Sequence, residues 1–193
     1  VSPTEDTIAI SSSIGIWLWD YDGSDGSYQE IALLQGEGTR VSRQVEQDGF
    51  GFTNDGIYLI SYDDHGVVSV WSTMDKQQAG IIHPNSAGNL VTAWAYSSTT
   101  SILAIGRQDG TVSLWSVGGL LIDDLGDGVP SPITALTFSP DGQSITVGYA
   151  NGDIKVWSVQ DYQLSIELDG DGTTVTSIGY RPNGSEMVAV YQD

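Results

Sequence analysis

Apolar residues in this chain come in short runs closed by clusters of Gly, Asp, Asn and Ser. Nowhere do they sustain the i, i+3, i+4, i+7 spacing of an amphipathic helix. Ile57–Ser61, Ile102–Gly106, Ile145–Gly148 and Met187–Tyr191 are four such runs. Ahead of two of them stand explicit turns, Phe138-Ser139-Pro140-Asp141-Gly142 and Tyr180-Arg181-Pro182-Asn183-Gly184. Phe52-Thr53-Asn54-Asp55-Gly56 is a looser copy, and Tyr96-Ser97-Ser98-Thr99-Thr100 has lost both Pro and Gly. Pro presets φ for a turn and Asp-Gly or Asn-Gly supplies positive φ, so these sites predict hairpins.

A second set of runs ends in tryptophan: Ile14-Gly15-Ile16-Trp17-Leu18-Trp19, His65-Gly66-Val67-Val68-Ser69-Val70-Trp71, Asp109-Gly110-Thr111-Val112-Ser113-Leu114-Trp115 and Asn151-Gly152-Asp153-Ile154-Lys155-Val156-Trp157. The closing residues Trp19, Trp71, Trp115 and Trp157 are 52, 44 and 42 positions apart. Phe52, Tyr96, Phe138 and Tyr180 keep step with them at 44, 42 and 42. A repeat of this length is one supersecondary unit whose face is buried against the next. Each unit reads as strand a ending in an aromatic, strand b, strand c ending in Trp, and a fourth strand d. Gln29–Leu34, Ala79–Ile82, Leu120–Leu125 and Gln163–Leu168 are the candidates for strand d.

Four antiparallel strands per unit, with Trp closing the third, is the β-propeller blade pattern. On Phe138-Ser139-Pro140-Asp141-Gly142, Asp109-Gly110-Thr111-Val112-Ser113-Leu114-Trp115 and Trp19-Asp20 the chain resembles the WD40-repeat family, in a degenerate, prokaryotic-type form. The resemblance implies an all-β fold of WD40-like four-stranded antiparallel blades, and a protein-interaction scaffold as function. Only the first repeat keeps an acid after its Trp, Asp20, while the others carry Ser72, Ser116 and Ser158. No repeat has the family's Gly-His pair ahead of strand a, so its hydrogen-bond network of His, Ser/Thr, Asp and Trp is expected to be largely absent. Asp109 alone stands in the family's acid position, with Asn151 and His65 there in other repeats.

Aligning the repeats places one propeller over 1–193, as a partial ring of about four and a half blades cut mid-blade at both ends. The blades run roughly over 1–36, 37–84, 85–128 and 129–170, with a partial one over 171–193. Ser2-Pro3 aligns with the turn after strand a, so Thr7–Ser11 is a strand b. Two expectations follow: the chain is part of a larger ring, or neighbouring copies complete the end blades to give a self-assembling filament or ring.

Charge narrows the partners. With 25 acids against 6 bases the net charge is −19, which argues against nucleic acid and anionic membrane. A protein partner or further copies of the chain are the expected binders. There is no Cys, hence no disulfide or thiol chemistry, and no apolar run long enough for a helical membrane span. Low Lys with abundant Ser, Thr, Gly and Asp points to an extracellular or cell-surface prokaryotic setting, with the cytoplasm as alternative.

Candidate chemistry is sparse. Asp20-Tyr21-Asp22-Gly23-Ser24-Asp25-Gly26 spaces carboxylates as a hard cation would want, but lacks the Gly and Glu positions of an EF-hand loop. Asp123-Asp124-Leu125-Gly126-Asp127-Gly128 and Asp169-Gly170-Asp171-Gly172 recur at one place in the repeat, which fits ordinary turns, with weak divalent-cation binding as the other reading. Trp17 is the odd aromatic, since its equivalents are Ser69, Ser113 and Lys155. It is a candidate partner contact, or padding in an atypical blade. Trp94 aligns with Leu136 and Ile178 and is expected in the core. His65 and His83 form no zinc pattern, and no Gly-x-Ser-x-Gly elbow occurs. No catalytic, metal or cofactor residue is assigned, and an enzyme or lectin on the same scaffold is the third reading.

Overall fold

The computed structural model describes residues 1–3, 6–12, 14–36, 49–83, 89–125 and 130–192. Seventeen strands and no helix are found among them. Sheet one is β1 (Thr7–Ser12), β2 (Gly15–Asp22) and β3 (Ser27–Leu34). Sheet two is β4 (Phe50–Phe52), β5 (Tyr58–Tyr62), β6 (Val68–Ser72) and β7 (Gln78–Ile82). Sheet three is β8 (Val91–Ser97), β9 (Ile102–Arg107), β10 (Val112–Ser116) and β11 (Leu121–Leu125). Sheet four is β12 (Ile133–Phe138), β13 (Ser144–Tyr149), β14 (Ile154–Ser158) and β15 (Leu164–Leu168). Sheet five is the hairpin β16 (Val175–Tyr180) and β17 (Met187–Tyr191). All pairings are antiparallel between sequence neighbours. The chain divides into two compact units, one of Val1–Gly88 with Val117–Gly119 and one of Asn89–Ser116 with Leu120–Asp193.

The turns after strand a form as their residues dictate. Ser139 Oγ donates to Asp141 Oδ1 at 2.6 Å and accepts from Ser144 N at 3.0 Å, while Asp141 Oδ1 accepts from Gln143 N at 3.0 Å. Thr53 and Asp55 repeat this arrangement at 2.6 Å. Ser2 N donates to Thr7 O as Ser139 N does to Ser144 O. The degenerate copy needs another solution. With no Gly available, Ser101 takes the left-handed conformation at φ 56°, a position that costs an L-residue about 1 kcal/mol or more.

Every strand c joins strand d with the same irregularity. The register shifts between Leu18 and Trp19, Val70 and Trp71, Leu114 and Trp115, and Val156 and Trp157. A bulge raises local twist, so each Trp sits where its sheet bends.

Within each unit, one face of a sheet packs on its neighbour. In unit one, Leu59 and Trp71 of sheet two share a core with Ile16, Leu18 and Leu34 of sheet one. In unit two, Ile145, Val147 and Trp157 of sheet four pack on Ala104, Val112, Leu114 and Leu125 of sheet three. Sheet five follows suit, with Met187 and Ala189 against Ala135 and Ile154. The face carrying the closing Trp is called the tryptophan face below, and the other the back face. Close approach depends on glycine. A Cβ on Gly106 would lie 2.6 Å from Ile133 Cγ2, and one on Gly148 would lie 2.6 Å from Val175 Cγ1.

Trp71, Trp115 and Trp157 are buried, whereas Trp19 is half-buried. Tyr96 is buried, and Phe52, Phe138 and Tyr180 are half-buried. Trp94 departs from the expectation of a core residue. It is half-buried, as are its equivalents Leu136 and Ile178.

Gly148→Val is expected to destabilise the protein by about 1–3 kcal/mol through overpacking against Val175 and Ile178. Gly179→Val, where nothing lies within 4 Å of an added Cβ, is expected to be neutral or slightly stabilising. Urea melts of the two variants check this. Equal losses would contradict the packing described.

Candidate functional site

The b–c turns and the segments leading into the next strand a come together at one end of unit two. Each b–c turn closes in the same way. Gly110 N donates to Arg107 O and Arg107 N to Thr111 O, as Gly152 N does to Tyr149 O and Tyr149 N to Asp153 O. Gly110 and Gly152 have φ of 86° and 89°, which explains Gly at that place. His65-Gly66 in unit one makes the same turn, with Gly66 at φ 77°.

Asp109 is exposed yet well held. It accepts from Thr111 N at 3.0 Å, Thr111 Oγ1 at 2.7 Å and Asn89 Nδ2 at 2.7 Å. Burial alone would raise its pKa; the bonds from Thr111 and Asn89 and the Arg107 charge outweigh it and lower the pKa. Arg107 is buried and donates to Asn89 O at 3.2 Å. Burial lowers its pKa, opposed by the charges of Asp109 and Asp124. Asn89, ahead of strand a, thus joins Asp109 and Arg107. In sheet four, Ser131 Oγ accepts from Asn151 N at 3.1 Å and Asp153 Oδ1 from Gly170 N at 2.7 Å. Neither Asn89 nor Ser131 was singled out in the sequence, since each lies 20 residues from its partner.

The tryptophan part of the network is uneven. Trp71 Nε1 donates to Ser61 Oγ on strand b at 3.1 Å. Trp115 Nε1 instead reaches Ser113 Oγ on its own strand at 2.7 Å, because Ile105 holds the position of Ser61. Trp157 meets Val147 and Lys155 at those two positions, and its buried Nε1 has no hydrogen-bond partner. Lys155 pairs with Glu167 Oε1 at 2.9 Å.

The carboxylate loops behave as turns. In sheet one, Asp22 Oδ1 accepts from Ser24 N at 2.9 Å and Ser24 Oγ at 2.6 Å, and Asp25 Oδ1 from Ser27 N at 2.8 Å. Asp20 accepts from Thr7 Oγ1. Asp171 Oδ1 accepts from Thr173 N at 3.0 Å. Gly126, Asp127 and Gly128 lie outside the described residues. Among the described residues no three His, Cys, Asp or Glu side chains converge as a metal site. Asp169, Gly170, Asp171, Thr173 and Tyr191 line an open cleft of about 430 Å³. Trp17 is half-buried on the tryptophan face of sheet one. His65 and His83 are exposed.

Two outcomes are expected from these contacts. Ser61→Ala leaves the buried Trp71 N–H without an acceptor and should cost about 1–3 kcal/mol, read by chemical denaturation; an unchanged midpoint would argue against the bond. Hydrogen bonds from Ser24, Ser27, Ser139 and Thr173 lower the pKa of Asp22, Asp25, Asp141 and Asp171, respectively, below 3.8 in the folded chain. Their contribution is complete above that value and is lost as pH falls through the folded pKa. Thermal melts should therefore show the lowest midpoint at about pH 3 and little change between about pH 5 and 7. A midpoint that rises at the acid end would contradict this.

The family model for WD domain, G-beta repeat, matches residues 77–116 and 126–158. No curated protein matches the chain. A chain in a crystal structure of the mitotic checkpoint complex superposes with a TM-score of 0.71 at 14% identity, over 95% of this chain and 53% of that one. This chain thus spans about half the length of that structural relative, and at such identity the likeness concerns the fold alone. Residues 77–116 and 126–158 thus carry two matched WD40 repeats, and a strand bearing the repeat's Trp recurs in each of the first four sheets.

Proposed function

We propose that this chain is a non-catalytic interaction scaffold that holds a basic segment of a partner protein at the turn-bearing end of unit two. The observation that carries the reading is the bracing of that end. Asn89 ties to Asp109, Ser131 to Asn151 and Asp153 to Gly170, so the turns are held by the sheets rather than left to wave. Loops fixed on a rigid framework bind with little ordering cost. The chemistry displayed is acidic. Asp109, Asp169 and Asp171 are exposed, and the whole chain carries −19. Carboxylates held on a fixed surface suit Lys and Arg side chains, with on-rates raised by the field of the molecule.

The blades are proposed to serve within a larger ring, and a cysteine-free, acid-rich surface suits an extracellular or cell-surface setting. Catalysis finds little support in side-chain geometry. The exposed carboxylates with lowered pKa would make poor general acids, and the hydroxyls that bond them serve turns.

Titration with a library of Lys- and Arg-bearing peptides tests this reading. Saturable binding is expected, weakening as salt rises and lost when the basic residues become Gln. Protection from amide exchange should appear at Asp109, Asp153 and Asp171. Binding that ignores salt and peptide charge, or none at all, would remove this account.

A further inference from the structure

One hairpin is longer than its equivalents. In sheets two and four a turn starts one residue after the closing Trp, where Lys76 N donates to Ser72 O and Tyr162 N to Ser158 O. In sheet one the same bond runs from Gly26 N to Asp22 O, three residues after Trp19. Two extra pairs fill the interval, Asp20 with Gln29 and Tyr21 with Tyr28. β2 and β3 are each eight residues long, against five for β6, β7, β10, β11, β14 and β15. The arm so formed reaches past the ordinary turn by about 7 Å. A further sheet of ordinary length, stacked on sheet one as sheet two is, would stop short of it.

The extra pairs are aromatic at their outer end. Tyr21 and Tyr28 are 41% and 50% exposed, with ring centroids 5.2 Å apart and planes tilted by 50°. Beside the Tyr21 ring the tip carries only glycine: an added Cβ on Gly23 would lie 3.9 Å from its Cε1, and one on Gly26 3.9 Å from its hydroxyl. The root is anchored, since Tyr21 N donates to Asp6 O at 3.0 Å and Thr7 Oγ1 donates to Asp20. Residues 20–30 hold Asp20, Asp22, Asp25 and Glu30, and no Lys or Arg precedes Arg40. Asp22 and Asp25 are engaged in their own turn, so they supply charge and leave contact to the rings.

We propose that this arm docks an arginine side chain of a partner protein, its guanidinium lying over the exposed Tyr21–Tyr28 pair. The occupant follows from charge and shape together. An aromatic face is electron-rich and attracts cations, and a planar guanidinium stacks on it where a compact, strongly hydrated ammonium does not. Four carboxylates with no base among residues 20–30 set a field that draws cations and repels anions. Rings on a braced arm lose little freedom on binding. In repeat folds an insertion in one unit forms a loop on one face, often the binding face. This inference stands independently of the basic-segment reading, which concerns the carboxylates of unit two.

NMR titration with an arginine-glycine repeat peptide provides the test, beside versions carrying lysine or neutral citrulline in place of arginine. The arginine peptide should shift the ring signals of Tyr21 and Tyr28 saturably. The lysine peptide should bind the arm several-fold more weakly, and the citrulline peptide should leave both rings unmoved. Tyr21→Thr with Tyr28→Thr should weaken binding about tenfold, read at the amides of residues 22–27. Tyr21→Phe with Tyr28→Phe should keep it, because the ring faces remain. Both positions are exposed and Thr suits a strand, so the thermal midpoint should hold. Where the Thr variant does not fold, deleting residues 20, 21, 28 and 29 shortens the arm to ordinary length and should give the same loss. Unmoved tyrosine rings overturn the proposal. So does an equal response to the lysine or citrulline peptide, or undiminished binding by the Thr variant. Shifts confined to Asp109, Asp153 and Asp171 overturn it too, while leaving the basic-segment reading in place.

Discussion

Everything in this protein depends on how closely one sheet approaches the next. A β-sheet with apolar residues on both faces is unstable alone, and stacking removes that exposure only if the sheets come near enough to exclude water. Gly106 and Gly148 permit the approach, because any Cβ there would collide with Ile133 or Val175. Ile145, Val147 and Trp157 then fill the space against Leu114 and Leu125. Polar bonds ride on this packing. The Trp71 indole can use Ser61 and the Trp115 indole Ser113 because both rings are already placed by apolar neighbours, and Trp157 keeps its place with no such bond.

Much of the architecture was legible because its signals are local. Asp-Gly and Asn-Gly turns, short apolar runs and a recurring Trp mark most strands, and the observed strands differ from the expected ones by a residue or two at their ends. Less legible was whatever depends on contacts across the repeat. Asn89 meets Asp109 only because the chain has gone round a hairpin between them. The Ser61–Trp71 bond was hidden because its partners sit on different strands, and Ile105 and Val147 at the same position gave no hint of it. How deeply Trp94 is buried depends on what packs over its strand, a matter that period-two counting cannot register. The shift ahead of every closing Trp belongs to the same class.

The candidate site was legible in composition rather than in position. An excess of 19 negative charges argues against polyanionic partners, and repeat turns say where acids collect. Neither says which carboxylates are spent. Asp22 and Asp141 are occupied with their own backbones, which is what makes their turns firm. Asp169 is exposed on the rim of the cleft and is available in a way those are not. Distinguishing spent from available acids requires coordinates, because both look alike as Asp-x-Ser or Asp-Gly in a string of letters.

Each sheet pairs only strands adjacent in the chain, and this has a kinetic meaning. Sequence separations within a sheet are those of successive hairpins, so contact order is low for an all-β protein, and loop closure costs little before each pairing is rewarded. A chain emerging from the ribosome can complete one sheet before the next is made, each serving as template for its successor. Damage would then spread as fraying from a terminal sheet rather than as one global collapse. The same locality that lets a lost Gly at one turn be absorbed by Ser101 lets very different sequences, here 14% identical, take the same fold.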